Sequence, residues 1–445
     1  MTMMTSVLTP VRAGAIALAL ATAGTLPGAA QADVDIQEVT SPGGQVFWLV
    51  EEPTIPIVSI EIGFSGGARL DPADKTGLTN FTMALMNEGS GELDAVAFAN
   101  KADDISARFG FSGGRDSTEV SGAFLVETLD EGIDLLALAM GSPRFDAEPV
   151  ARVRGQILSG IAQDETDPQA IAGKEWAARA FPDHAYGRPS SGTKETITAI
   201  TVEDMRTAHK RLMTRANAHI GIVGAINAAK AGKIVDTLMA VLPEGATVTA
   251  EPRDVAPPPG VIVIEQDVPQ STAIFGHAGL ARDDPDFIPA FVMNRVLGGG
   301  GFSSRLMEEV REKRGLAYSV YSYLSARDEA ALYLGGVQTA NERVAESIDV
   351  IRAEWTRMAT EGMSEEDLEK AKRYLTGAFP LQFDSNAKIA NYLIFVQMED
   401  LGIDYINIRN DLIEAVTVED IKRVAARVLK PDALSIVVVG MPVGL

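Results

Sequence analysis

Alternating and continuous apolar runs predict strands near the start of each half of the chain, and helices after them. Four apolar residues alternate with smaller or polar ones in the first half: Val58, Ile60, Ile62 and Phe64. In the second half, residues 261–264 form a continuous apolar run, which predicts a strand. Helical spacing predicts helices over 342–360 and, after the N-cap Ser364, over 365–379. Because the strands are grouped and do not alternate regularly with helices, the pattern favours an α+β fold.

A glycine run, a helix and a strand follow one another within residues 298–323, which read GGGGFSSRLMEEVREKRGLAYSVYSY. Three apolar residues share one face of the predicted amphipathic helix: Leu306, Met307 and Val310. Lys313 and Arg314 suit a helix C-terminus, and Gly315 is placed to end the helix. Alternation over 317–324 then predicts a strand.

The turn at Gly315 would bring Arg311, in the last helical turn, towards Tyr318 at the start of the strand. A guanidinium and a phenol that converge supply hydrogen-bond donors to an oxygen that gains negative charge. A purely structural interpretation is also open, in which Arg311 satisfies helix carbonyls and Tyr318 serves strand propensity. The glycine run lacks the lysine of a phosphate-binding loop, so it is interpreted as backbone that another chain can approach closely.

An internal repeat predicts two like domains. Residues 199–224 read AITVEDMRTAHKRLMTRANAHIGIVG, and residues 415–440 read AVTVEDIKRVAARVLKPDALSIVVVG. In each copy a threonine, Thr201 or Thr417, can cap a helix with acids in its first turn, and an apolar strand ending in glycine follows. Two matching units of this length indicate duplication.

The predicted division of the chain has four parts. Residues 243–260, PEGATVTAEPRDVAPPPG, are proline-rich and lack apolar periodicity, so they are interpreted as a linker. The N-terminal domain is then 33–242 and the C-terminal domain is 261–445. Residues 1–32 have the charged start, short apolar run and small-residue cleavage site of a signal peptide. We expect cleavage near Ala32 and a periplasmic or secreted protein. An uncleaved anchor is the alternative.

Composition excludes several classes of function. The chain has no cysteine, so disulfides, thiolate catalysis and cysteine metal sites are excluded. Its net charge of −22 argues against nucleic acid and anionic membrane surfaces as partners. No later apolar run is long enough for stable membrane insertion. No two of the four histidines have the spacing of a zinc-binding helix: His184, His209, His219 and His277. His209 is expected on an exposed helix face.

The F-S-S-R-L-M-x-x-V-R-E-K-R-G-L-A-Y string, with its step from Arg311 to Tyr318, resembles the arginine–tyrosine motif of the pitrilysin/insulinase family. That family includes zinc proteases like the mitochondrial processing peptidase. Residues 167–168, 181–188 and 192–193 also look like the D-P and H-P-Y-G…G-T stretches of this family. The resemblance implies two homologous domains, each a mainly antiparallel sheet with packed helices, arranged as a clam-like pair.

The metal-binding motif of the family is degenerate in this chain. An active member carries H-x-x-E-H on a helix, where two histidines hold zinc and the glutamate is the general base. The matching positions after K-T-G-L hold Asn80, Met83 and Ala84, and the downstream glutamate ligand would fall near Ala151. We therefore expect no metal and no cofactor in this chain.

The resemblance implies a non-catalytic, substrate-positioning subunit of a heteromeric zinc metalloendopeptidase that acts on peptides. A paralogue bearing H-x-x-E-H would supply the zinc in a heterodimer, and Arg311 and Tyr318 would position the substrate or its oxyanion at that site. The residues expected to contact the peptide are Gly299, Gly300, Gly301 and Phe302. Whether this chain belongs to an enzyme stays open at this point, because a structural or peptide-binding scaffold of the same family is the alternative.

Overall fold

The computed structural model describes residues 34–445, so the predicted signal peptide lies outside the described residues. The strands of the first half are β1 (Gln37–Thr40), β2 (Val46–Glu51), β3 (Ile57–Ser65), β4 (Gly89–Ser90), β5 (Leu93–Asp94), β6 (Arg108–Gly113), β7 (Ser117–Leu125) and β8 (Ala218–Gly224). The helices of the first half are α1 (Leu78–Met83), α2 (Ala95–Asp104), α3 (Leu129–Gly141), α4 (Ala147–Asp164), α5 (Pro168–Ala180), α6 (Lys194–Ala199), α7 (Val202–Leu212) and α8 (Ala228–Ala240).

The elements of the second half start with β9 (Gly260–Glu265). The other strands of this half are β10 (Gln270–Ala278), β11 (Ala317–Arg327), β12 (Ala330–Ala340) and β13 (Ser435–Gly440). Its α-helices are α9 (Phe287–Leu297), α10 (Val344–Glu361), α11 (Glu365–Ala378), α12 (Asn386–Met398), α13 (Tyr405–Glu414) and α14 (Val418–Val428), and a π-helix spans Met307–Glu312. Residues 243–259 form no helix or strand, and the division of the chain at this segment stays a prediction.

Each half is built on one large sheet, which confirms the α+β class. The first sheet has the strand order β1-β2-β8-β3-β7-β6, and the second has the order β11-β12-β10-β13-β9. Both are mainly antiparallel, with one parallel pair in each: β2 with β8, and β9 with β13. The two T-V-E-D segments form the same unit, since Thr201 and Thr417 each complete a capping box before α7 and α14. Within the described residues, no helix is both long enough and apolar enough to cross a membrane.

The two halves exchange helices. One face of each sheet packs against the helices of its own half, whereas the other face receives a helix from the opposite half. On the second sheet, the buried Trp176 of α5 donates its indole N–H to Ser435 O at 3.0 Å. On the first sheet, Asn386 and Gln397 of α12 donate to backbone carbonyls of β3 and β8 at 3.2 and 3.1 Å.

Glycines in the strands allow these helices to approach closely. A Cβ on Gly221 of β8 would lie 2.9 Å from Ala390 O of α12, and one on Gly63 of β3 would lie 2.5 Å from Met398 Sδ. On the second sheet a Cβ on Gly276 of β10 would lie 3.1 Å from the Trp176 ring. The exchanged helices therefore depend on strand positions that carry no side chain.

A buried ionic network also fixes the turn between β11 and β12 to the first half. Arg69, which is 8% exposed, places Nη1 2.8 Å from Glu329 Oε1. His184 Nε2 lies 2.7 Å from the other carboxylate oxygen of Glu329. Tyr186 accepts the Glu329 backbone N–H at 3.1 Å and donates its hydroxyl to Asp116 at 2.5 Å. The hairpin that carries Tyr318 at one end is thus anchored at its other end.

We expect Trp176→Ala to lower the free energy of unfolding by about 3–5 kcal/mol, because it removes a large buried side chain and its hydrogen bond. Urea unfolding followed by circular dichroism measures the effect. Trp176→Phe keeps most of the ring volume, so its free energy of unfolding should fall by clearly less. Equal stability of the alanine variant and the wild-type protein would show that the helix exchange does not hold the halves together.

A second prediction concerns Glu61 of β3, on the sheet face that α12 covers. Burial, with a smaller contribution from Glu119, raises the pKa of Glu61 to about 8. The carboxyl is therefore protonated in the folded protein at neutral pH and ionised in the unfolded chain. The raised pKa of Glu61 therefore contributes to the free energy of unfolding. This contribution is fully present below pH 4.5 and decreases by about 1.4 kcal/mol per pH unit up to about pH 8.

We therefore expect Glu61→Gln, which is neutral at every pH, to be more stable than the wild-type protein at pH 8. The free energies of unfolding of the variant and the wild-type protein should converge near pH 4.5. Thermal unfolding from pH 4.5 to 8.5 measures this, with Glu51→Gln, which changes an exposed carboxyl of β2, as the control. A constant stability difference across this range would contradict the buried neutral carboxyl.

Candidate functional site

The Arg–Tyr segment forms the predicted helix, turn and strand, with two local irregularities. The helix over Met307–Glu312 is a π-helix, in which Lys313 N donates to Glu308 O five residues back. Leu306, Met307 and Val310 are buried as one face, and Gly315 ends the turn with φ of +61°. The strand is longer than predicted and spans Ala317–Arg327.

A β-bulge exposes Tyr318. Ala317 pairs with Thr339 and Ser319 pairs with Gln338, so Tyr318 is the extra residue that no β12 residue opposes. Its side chain is 79% exposed. A bulge bends the strand and re-aims the side chain that it carries. No local pattern in the sequence marks the bulge.

Arg311 and Tyr318 meet, as predicted. The Arg311 Cζ atom lies 4.7 Å from the centroid of the Tyr318 ring and 4.5 Å from that of the Phe302 ring, so the guanidinium is held between two aromatic faces. Its Nε lies 3.4 Å from Glu312 Oε1, and neither Nη group donates to any residue in 34–445. Four N–H bonds of a preorganised guanidinium are therefore available to a ligand.

The glycine run is held against the second half by close backbone packing. A Cβ on Gly298 would lie 2.2 Å from Ser322 Oγ, one on Gly299 would lie 2.6 Å from Asn294 Nδ2, and one on Gly300 would lie 2.4 Å from Arg295 O. Gly301 has φ of +54° and open space at its Cβ position. Glycine is thus required at the first three positions to seat the loop, and at the fourth to turn it.

Asn294 at the end of α9 connects the loop to β11. Its backbone carbonyl accepts from Gly298 N and Gly299 N, and its amide donates to Ser322 O at 3.1 Å. Its Oδ1 accepts from the hydroxyls of Ser322 and Tyr333 at 2.7 and 2.9 Å. Sequence reasoning missed this residue, since a lone asparagine in an apolar helix has no distinguishing pattern.

These elements surround one cavity of about 430 Å³. It is lined by Asn294, Gly298, Gly299, Gly301, Phe302, Met307, Arg311, Tyr318, Ser319, Val320, Tyr321, Ser322 and Tyr323. Of the predicted site residues, the structure brings together Arg311, Tyr318, Gly299, Gly301 and Phe302, whereas Gly300 does not line the cavity. Arg311 is the only charged side chain in the lining.

The degenerate motif positions do not form a metal site. Asn80 donates its amide to Ser190 O at 3.0 Å, Met83 is buried in the core, and Ala84 is exposed. Ala151, the position predicted for a further ligand, is exposed on α4. Nowhere in residues 34–445 do three or more His, Cys, Asp or Glu side chains come together in a group able to hold a metal ion.

The histidines have other partners, and one prediction about them is wrong. His209 is 8% exposed, not on an exposed face, because its ring nitrogen lies 2.7 Å from Met140 O and fixes α7 against α3. Burial lowers the pKa of His209, His219 and His277, so these rings are neutral. His219 lies 3.3 Å from Ser65 Oγ, and His277 accepts the Trp355 indole N–H at 3.0 Å.

The fold and the site together define a two-domain peptidase-like protein with an Arg–Tyr pair and, within residues 34–445, no cluster of metal-binding side chains. Residues 46–194 match the sequence model of the insulinase family, peptidase family M16, and residues 199–375 match that of the peptidase M16 inactive domain. The chain belongs to this M16 family. The match of residues 199–375 to the inactive-domain model supports an inactive homologue, and the assignment of Asn80, Met83 and Ala84 to the metal-helix positions stays a prediction.

Some proteins similar to this chain are described as non-peptidase homologues and others as zinc proteases. The non-peptidase homolog YmxG of Helicobacter pylori is 27% identical over 75% of this chain and 77% of its own length. An uncharacterized zinc protease of Streptomyces coelicolor is also 27% identical, over 90% of this chain and 89% of its own length. A peptidase M16 inactive domain from Pseudomonas fluorescens has a TM-score of 0.87 and 28% identity, covering 92% of this chain and 98% of its own. This similarity confirms the clam-like pair of domains.

We expect the isolated mature chain to bind no stoichiometric zinc, because all three residues of the metal helix are replaced and Met83 is buried. Metal analysis after dialysis against a weak chelator measures this. Restoring the motif with Asn80→His, Met83→Glu and Ala84→His should recover little peptidase activity. One tightly held zinc per wild-type chain would contradict this account.

Proposed function

We propose that this chain is the non-catalytic, substrate-positioning subunit of a heteromeric zinc metalloendopeptidase that acts on peptides. The single observation that supports this most is the Arg311 guanidinium, which is held between two aromatic rings with both Nη groups unused by the protein. A purely structural arginine would satisfy its donors within the fold. This one is oriented by packing and left available to a ligand.

The partner in this proposal is a paralogue that bears H-x-x-E-H and holds the zinc. When zinc is bound there, it polarises the scissile carbonyl and activates water. Arg311 and Tyr318 of this chain donate hydrogen bonds to the carbonyl oxygen as it gains charge. Neither side chain needs to move a proton, so the role is positional and electrostatic.

The way in which this chain contacts the peptide follows from the edge of β11. β11 is the outermost strand of its sheet, but its edge is already used: Ser322 N donates to Gly298 O at 3.3 Å and Val320 N to Met307 Sδ at 3.5 Å. A peptide therefore cannot add as a strand at this point. In the proposal the peptide extends along a sheet edge of the partner, and this chain contacts it through Arg311, Tyr318 and nearby side chains.

The compartment belongs to the same proposal. A cleaved signal peptide ending near Ala32 would place the mature chain in the periplasm or outside the cell, and the absence of cysteine suits a periplasmic protein that needs no disulfide. The heteromer would then act on exported peptides.

We expect Tyr318→Phe to lower turnover of the reconstituted complex by on the order of 10²-fold, because one hydroxyl donor is lost while the ring that packs on Arg311 is kept. Arg311→Ala should cost as much or more and should also raise KM, since it removes a charge and several donors. Steady-state kinetics measures both effects, and size-exclusion chromatography confirms that the heteromer assembles.

Matched controls are Tyr374→Phe and Arg373→Ala, which change exposed residues of α11 outside the cavity. Both controls should keep wild-type turnover. An assembled Arg311→Ala, Tyr318→Phe double variant with wild-type turnover would eliminate the shared site and favour the scaffold alternative.

A further inference from the structure

Four aromatic side chains are exposed around the same cavity, although exposed aromatic residues are costly in a monomer. Phe302 is 69% exposed, Tyr318 79%, Tyr321 36% and Tyr323 44%. All four line the cavity of about 430 Å³ beside Arg311. Phe302 and Tyr318 hold the guanidinium, but this leaves Tyr321 and Tyr323 without a role.

Tyr321 and Tyr323 are two residues apart on β11, so they project from the same face of the sheet. Their rings are stacked, with centroids 6.2 Å apart and planes inclined by 22°. Gly336 on the neighbouring strand makes room for this arrangement, since a Cβ there would lie 2.8 Å from the Tyr321 hydroxyl oxygen. Gln169 of the exchanged helix α5 donates to that hydroxyl at 3.5 Å. Contacts from both halves of the chain therefore keep the ring pair in place.

The charge of the cavity differs from that of the whole chain. The protein carries a net charge of −22, yet the cavity lining includes one arginine and no carboxylate. A lysine or arginine side chain that entered would be repelled by Arg311, and Glu312, beside the lining, already pairs with that arginine. An aromatic side chain would instead meet ring faces and edges, which attract it beyond the effect of area burial.

We propose that Tyr321 and Tyr323 form a side-chain subsite for an aromatic residue of an extended peptide. The two stacked rings present one aromatic surface in the lining beside Arg311. The proposal rests on the proposed function for the identity of the ligand as a peptide substrate. It adds that the complex selects aromatic side chains beside the bond that it cleaves, and that this chain makes the selection.

Direct binding to the isolated mature chain tests the subsite without zinc or a partner. The probes are three fluorescein-labelled heptapeptides that differ only at the central residue, which is Phe, Ala or Lys, and fluorescence anisotropy gives Kd. We expect the Phe peptide to bind roughly tenfold more tightly than the Lys peptide, as one or two aromatic contacts would give. Tyr323→Ala should weaken binding of the Phe peptide by about three- to tenfold and leave the Ala peptide unchanged.

Two further variants separate ring contact from loss of folding. Tyr323→Phe keeps the ring and should keep the preference for the Phe peptide. Val96→Ala removes an exposed apolar side chain of α2 outside the cavity and should change nothing. Equal affinity for the three peptides, no binding of any of them, or a preference that survives Tyr323→Ala would each overturn the subsite. If binding behaves as expected while Arg311 and Tyr318 have no effect on turnover, the subsite stands and the catalytic role is lost.

Discussion

The exchange of α5 and α12 between the two halves is the constraint on which the rest of the structure depends. Each sheet would expose an apolar face without the helix from the opposite half, and glycines in the strands let each helix sit against the backbone. The exchange joins the two halves through buried contacts of Trp176, Asn386 and Gln397. It also places Gln169 of α5 against Tyr321, so that the first half supports one wall of a cavity made mainly by the second.

Within that frame, the Arg–Tyr pair is oriented by two departures from regular structure. The π-helix carries Arg311 and the β-bulge carries Tyr318, and both irregularities occur within a dozen residues. Such features interrupt the hydrogen-bond pattern and are concentrated at functional sites. Asn294 holds the glycine loop and β11 together behind them. The guanidinium is thus fixed by packing on rings, while its hydrogen-bond donors stay available.

Much of this organisation could be predicted from the sequence, and the remainder has identifiable physical reasons. Apolar periodicity and capping threonines predicted the strands and helices, and the spacing of Arg311 and Tyr318 predicted that they meet. The helix exchange could not be predicted, because the apolar faces of α5 and α12 do not specify which sheet they cover. The bulge, the π-helix and the buried position of His209 depend on tertiary contacts that no local pattern encodes.

The most direct test of the account is the distance between this chain's Arg–Tyr pair and the partner's metal. The chain has no cysteine, so Glu312→Cys gives a single labelling site beside Arg311. With a spin label at that position and Cu²⁺ in place of the partner's zinc, pulsed electron paramagnetic resonance measures the separation in a peptide-bound complex. A site shared between the two chains requires a separation of less than roughly 20 Å, the span of about six extended residues. A separation well beyond that length would contradict a site shared between the two chains.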